Sequence, residues 1–120
     1  MYKIALEAMR AIMEAAKSTW PNEFIALLEV ENSKICGLVM LPSVYGNAFS
    51  SLRMDLLPMT TKVNGSVHSH PNYSNRPSAG DLIAFPKLGK VNLIICRPFS
   101  AQSLKAYDSK GNELELEVVA

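Results

Sequence analysis

Ser66-Val67-His68-Ser69-His70-Pro71, then Asn72 to Pro77, then Ser78-Ala79-Gly80-Asp81: this run holds both histidines of the chain and the punctuation that places them. Ser66 to His70 reads as a short strand, and Pro71 ends it. Pro71 to Pro77 holds two Asn, two Pro and a Ser, so it reads as a loop. Ser78 opens a helix expected to end near Phe85, because Pro86 lacks the backbone donor. On a strand, residues i and i+2 share a face and stand roughly 6.5–7 Å apart. His68 and His70 can therefore converge on one metal ion. Asp81, in the first turn of the helix, can add a carboxylate oxygen. Three protein ligands plus a water make an open, catalytic-type zinc site rather than a closed structural one.

The same residues have plainer readings. A His-x-His pair also suits a partly exposed polar face. Ser78 and Asp81 stand three apart, so Ser78 can be an N-cap and Asp81 the acid of a capping box. Capping and chemistry can coexist there. Two histidines and one carboxylate also suit a non-haem iron site, although no cosubstrate anchor is visible. Other chemistries fit worse. The chain has no His-Glu-x-x-His helix, no Gly-x-Ser-x-Gly turn, no Walker-type loop and no Cys-x-x-Cys.

Around this run the pattern is regular. Lys3 to Ser18 reads as an amphipathic helix, with Ala5, Met9, Ile12, Met13 and Ala16 on one face and Arg10 and Glu14 able to pair on the other. Pro21 ends it. Strand-length apolar runs follow at Phe24 to Val30, Ile35 to Leu41 and Ala48 to Leu57. In the third, Leu52, Met54 and Leu56 alternate with Arg53 and Asp55, which suits a plain core strand or an edge that accepts an extended peptide. Val91 to Cys96 reads as a central strand buried on both faces. Leu104 to Asp108, a turn at Ser109 to Asn112, and the alternating Glu113 to Val118 read as a C-terminal hairpin. The expected class is α/β, a mixed sheet flanked by helices, in one domain over residues 1–120.

Composition narrows the partners. The chain carries 12 basic and 11 acidic residues, and the basic ones are scattered rather than clustered, which argues against nucleic acid or a membrane surface. No segment approaches the ~20 apolar residues that span a bilayer. Glu7, Arg10 and Glu14 interrupt any signal-peptide pattern, so a cytoplasmic location is expected. Cys36 and Cys96 lie in apolar runs and read as small buried hydrophobes rather than as a bridge.

His68-Ser69-His70-Pro71, six residues, then Ser78-Ala79-Gly80-Asp81 resembles the signature of the JAMM (MPN-plus) metalloproteases, with every position filled. Pro21-Asn22-Glu23-Phe24-Ile25-Ala26-Leu27-Leu28 is similar to the family's upstream element, a glutamate opening an apolar strand. The resemblance extends over nearly the whole chain and is strongest to small archaeal members. It implies the MPN/JAMM (cytidine-deaminase-like) architecture. It implies zinc on His68, His70 and Asp81, Glu23 as general base, and Ser78 as donor to the oxyanion. It implies hydrolysis of the amide bond between a ubiquitin-like modifier and a lysine.

Three departures stand out. Glu29-Val30 follow Leu28 where relatives often have glycine. Asn75 and Arg76 fill a stretch where some archaeal relatives carry a cysteine able to pair at the Cys96 position, so Cys96 is expected to be a free thiol. The Phe85 to Val91 segment is short, without the insertion that helps larger relatives grip the proximal ubiquitin. Processing of sulfur-carrier proteins or peptide C-termini is an alternative activity, and a zinc-free MPN scaffold an alternative class. The apolar face of the first helix offers a surface for a homodimer, with no signal beyond ordinary amphipathicity.

Overall fold

A computed structural model describes residues 1–40 and 62–120 of the chain. The expected strand Ala48 to Leu57, with Leu52, Met54 and Leu56, lies outside the described residues. So do Leu41 and the Pro42 to Asn47 segment. The described elements run β1 (Tyr2–Ala5), α1 (Leu6–Thr19), β2 (Ile25–Glu31), β3 (Lys34–Val39), β4 (Val63–Ser69), α2 (Ala79–Leu88), β5 (Val91–Ile95), β6 (Leu104–Tyr107), β7 (Glu113–Leu114) and β8 (Leu116–Val119). A short 3-10 turn, Ala101–Ser103, precedes β6.

The strands form one mixed sheet in the order β7-β6-β5-β4-β2-β3-β1-β8. Its middle is built around β4, which pairs antiparallel with β2 and parallel with β5. Strand alternation then sorts the two faces. On one face Phe24, Ala26, Leu28, Val67, Val91, Leu93 and Ile95 meet the buried stripe Ala8, Met9, Ile12 and Ala16 of α1. On the opposite face Phe85 of α2 packs with Ile94 and stacks on Tyr107, ring centroids 6.4 Å apart. Every residue of β5 is buried, as its unbroken apolar run predicts.

Four expectations change. The first helix does not begin at Lys3. Tyr2–Ala5 is a strand, because it pairs parallel with β3 on one side and β8 on the other, and Ile4 is fully buried between them. Tertiary pairing outweighs the helical periodicity of those residues. The second helix does not stop at Phe85. It continues through Pro86 to Leu88, and the Gly89 N–H closes it on the Phe85 carbonyl at 3.1 Å. A proline in the last turn forfeits a single bond near an end where carbonyls lack partners anyway.

The C-terminal hairpin is also only half formed. β7 pairs with β6, but after Glu115 the chain crosses to the far edge and runs parallel to β1 as β8. One continuous segment thus bridges both edges of the sheet, with the Tyr2 N–H on the Glu115 carbonyl at 3.0 Å. The hairpin turn itself is as expected: the Asp108 carboxylate accepts from the Lys110 and Asn112 N–H groups, and Gly111 takes a φ of 88°.

Finally, Cys36 is exposed, not buried. Glu29 pairs with Gly37 and Val30 with Ile35, so Cys36 is the extra residue of a bulge and turns outward. Cys96 is buried and free, as expected. On α1 the Arg10 guanidinium lies 3.9 Å from Glu7, an exposed pair of little energetic weight.

β4 and β5 approach closely at Gly65, where an added Cβ would meet the Val91 carbonyl oxygen. Gly65→Ala should therefore cost about 3 kcal/mol or more of stability, read by denaturant unfolding. An unchanged midpoint would mean that the two strands can separate freely at this point.

Candidate metal centre

One strand register assembles the site. Ile25 of β2 lies opposite His68 of β4. The pairing continues one step beyond the strand, where the Ser69 N–H donates to the Phe24 carbonyl at 2.9 Å and the Phe24 N–H to Ser69 Oγ at 2.7 Å. The next step brings Glu23 beside His70. Directly opposed residues share a face, so Glu23, His68 and His70 all come to the α2 side. From the other flank the Ile95 carbonyl accepts the His70 N–H at 2.8 Å, which holds this residue in line past the end of β4.

Asp81 arrives from α2. Ser78 caps that helix: its Oγ accepts the Asp81 N–H at 3.1 Å, and Asp81 Oδ2 accepts the Ser78 N–H at 2.8 Å. This is the capping box anticipated as the plain reading. It does not compete with the site, because it aims the carboxylate. Asp81 Oδ1 lies 3.1 Å from His68 Nε2, and Oδ2 lies 3.1 Å from His70 Nε2. The two Nε2 atoms are themselves 3.1 Å apart. The side chains of His68, His70 and Asp81 are 3%, 12% and 12% exposed, so the donors converge out of bulk water.

A tetrahedral zinc ion with bonds of about 2.0–2.1 Å sets its ligand atoms roughly 3.3 Å apart. The Nε2–Nε2 spacing comes close to that edge length, and the Asp81 carboxylate presents one oxygen at a similar distance to each ring. The tautomer fits as well. His70 Nδ1 lies 2.8 Å from the Ser74 carbonyl, which can only accept, so Nδ1 carries a proton and Nε2, turned toward Asp81, is the nitrogen that a metal would take in place of its proton. Glu23 is half-buried, and one of its carboxylate oxygens lies within 4.8 Å of ligand atoms on both histidines. The turn before it is closed by the Asn22 N–H on the Thr19 carbonyl at 2.8 Å.

Electrostatics follow from these contacts. The hydrogen bond to Asp81 raises the His70 pKa above its ordinary 6.5, outweighing burial, and the Ser74 carbonyl and the Asp81 and Glu23 charges act in the same direction. Burial pushes Asp81 upward, but hydrogen bonds from His68 and His70, the charge of His68 and the Ser78 N–H together hold its carboxyl well below the usual range.

Glu23, His68 and His70 thus lie together, Asp81 meets both imidazoles, and Ser78 is tied to Asp81 through the capping box. The supporting residues were not foreseen. Ser74 orients His70, and an Asx turn from Asn72 Oδ1 to the Ser74 N–H at 2.9 Å shapes that part of the loop. The Tyr107 hydroxyl donates to the Asn75 carbonyl at 2.7 Å, and Asn75 Nδ2 to the Ser103 carbonyl at 3.1 Å, so the loop is pinned to the sheet. The Asn-x-Ser sequence carried a signal for the turn; the anchors on Ser103 and Tyr107 depend on tertiary placement.

Residues 6–110 match the family model of prokaryotic homologs of the JAB domain. The chain belongs to this family. It is 33% identical, over 97% of its length and 78% of the relative's, to a probable metalloprotease of Haloferax volcanii. A solved structure described as JAMM, a metalloprotease-like zinc site in the proteasome and signalosome, is 42% identical, with a TM-score of 0.80 over 100% of this chain and 99% of that one. A JAB1/MPN domain protein from Archaeoglobus fulgidus is 43% identical, with a TM-score of 0.81 over 98% of this chain and 99% of that one. This JAB-family chain is accordingly a metalloprotease with the JAMM/MPN fold, and its cofactor is zinc.

Two outcomes follow. Asp81→Asn keeps an acceptor for the Ser78 N–H but loses the charge. It should weaken zinc binding at least about tenfold, and it should also lower metal-free stability by the share that the Asp81 charge contributes. Metal titration and chemical unfolding of the same variant read the two effects separately. The second outcome concerns pH. In chelator-treated protein the raised His70 pKa contributes stability that is full below 6.5 and lost as pH rises through the folded value. The lowered Asp81 pKa contributes stability that is present above 3.8 and lost on acidification. Metal-free protein should therefore melt highest in mildly acidic solution. Zinc should add stability chiefly at higher pH, where fewer protons compete with the metal for its ligands. Paired melting curves against pH check the crossing.

Proposed function

We propose that this chain hydrolyses the amide bond between the C-terminus of a ubiquitin-like modifier and a lysine side chain. The observation that carries the reading is Glu23. Asp81 already completes the ligand set with His68 and His70, so the chain needs no further carboxylate there to hold zinc. Glu23 nevertheless stands within 4.8 Å of both histidines. A carboxylate beside a metal site but outside its ligand set is suited to act as general base on a water there.

Under this reading His68, His70 and Asp81 hold zinc, which supplies a water of lowered pKa and polarises a carbonyl. Glu23 takes the proton of the attacking water and returns it to the departing lysine amine. Ser78 has spent one acceptor lone pair on the Asp81 N–H, which leaves its own O–H free to donate to the oxyanion. The capping box therefore fixes both a ligand and a donor. The 42% identity to a metalloprotease-like zinc site of the proteasome and signalosome supports a modifier as substrate.

A second reading, processing of sulfur-carrier proteins or peptide C-termini, draws support from one feature. α2 passes to β5 through Gly89 and Lys90 alone, so no gripping insertion stands there. Both readings keep the residues in the same roles.

Glu23→Ala should retain one zinc per chain and lose about 10²–10⁴ in turnover. Ser78→Ala should lose about 10²–10³ in kcat and about 1 kcal/mol of stability through the lost cap. Chelation should abolish activity, and added zinc should restore it. Cleavage of isopeptide-linked modifier, tested beside unmodified carrier protein and short peptides, separates the two readings. Full turnover by Glu23→Ala would contradict both.

A further inference from the structure

Beside the metal centre lies a stack that none of the assigned roles uses. The Arg97 guanidinium carbon sits 4.7 Å from the Trp20 ring centroid and 4.8 Å from that of Tyr73. Trp20 caps the C-terminus of α1 three residues before Glu23, and Tyr73 lies in the loop between His70 and Ser78. Both rings are otherwise exposed, at 45% and 71%. Two hydrogen bonds run the same way. The Arg97 N–H donates to the Asn72 carbonyl at 2.9 Å, and the Trp20 indole N–H to the Pro71 carbonyl at 3.3 Å. Arg97 itself rides on a fixed turn: the Phe99 N–H closes on the Cys96 carbonyl at 2.8 Å, and the Phe99 ring is buried in the α1-side core.

We infer that Arg97 is a positioning residue, clamped between Trp20 and Tyr73 so that the Glu23 turn and the loop carrying Ser74 and Ser78 move as one body. A guanidinium over two rings gains cation–π attraction from each. Its planarity suits stacking better than an ammonium does. The clamp thus sets the distance between the base and the ligand loop, which the β2–β4 ladder no longer controls beyond Phe24 and Ser69. It rests on the reading of Glu23 as general base.

The test uses full-length Arg97→Ala and Arg97→Lys. In chelator-treated Arg97→Ala, amide exchange should quicken in both 20–24 and 72–76. With zinc restored at one per chain, kcat should fall about 10- to 100-fold while KM stays within about twofold. Arg97→Lys should recover part of both effects. A higher KM at unchanged kcat would make Arg97 a substrate contact and overturn the proposal. So would faster exchange confined to one of the two segments. Should Arg97→Ala fail to fold, Tyr73→Ala removes an exposed ring and should act in the same directions. Failure of the general-base reading would show separately, as an active Glu23→Ala, and the exchange measurement stands without any turnover.

Discussion

The antiparallel register of β2 on β4, with Ile25 opposite His68, is the constraint on which the site depends. It puts Glu23 on the same face as both histidines although 45 residues separate Glu23 from His68. A slip of one residue would send Glu23, or the histidine pair, to the face that α1 covers. That slip is opposed by the core itself. Phe24, Ala26, Leu28 and Val67 occupy the alternate positions and are buried against α1. The hydrophobic pattern that folds the sheet is therefore also what orders the metal centre. The Ser69 hydroxyl adds a lock, since it takes the Phe24 N–H where the ladder ends.

α2 contributes by a different principle. A helix N-terminus has orphan N–H groups, and a capping box satisfies two of them with side chains three residues apart. Here one side chain of that box, Asp81, is also the carboxylate that meets both imidazoles. Asp81 is tied by the Ser78 N–H and by both imidazoles, which is why its carboxyl stays ionised despite burial. Phe85, one turn on, anchors the helix against Ile94 and Tyr107. Tyr107 in turn holds the loop through Asn75. Packing, capping and ligation are thus consecutive links of one chain of contacts rather than separate features.

Much of this was legible beforehand, and for identifiable reasons. His68 and His70 are the only histidines, their spacing has a strand period, and Pro71 marks the boundary. Ser78 and Asp81 carry a local signature, and the capping box it announces forms with the Asp81 carboxylate set against both imidazoles. Glu23 was different. No local pattern distinguishes it from the other glutamates, and only the resemblance to JAMM proteins selected it. The errors share a cause. Tyr2–Ala5 is a strand, and Leu116–Val119 pairs away from β6, because the two pair with each other at one edge of the sheet, a contact spanning the whole chain that periodicity cannot register. Cys36 faces outward because a bulge displaces it, and a bulge is a property of two strands together. Arg97, likewise, gains its place only when Trp20 and Tyr73 are brought beside it.

The central claim is that two imidazoles and a carboxylate of this chain bind zinc. X-ray absorption at the zinc edge of the loaded protein tests it most directly. The account predicts a four-coordinate shell of nitrogen and oxygen at about 2.0–2.1 Å with the outer-shell pattern of two imidazoles. A sulfur ligand at about 2.3 Å, or a shell with fewer than two imidazoles, would contradict it.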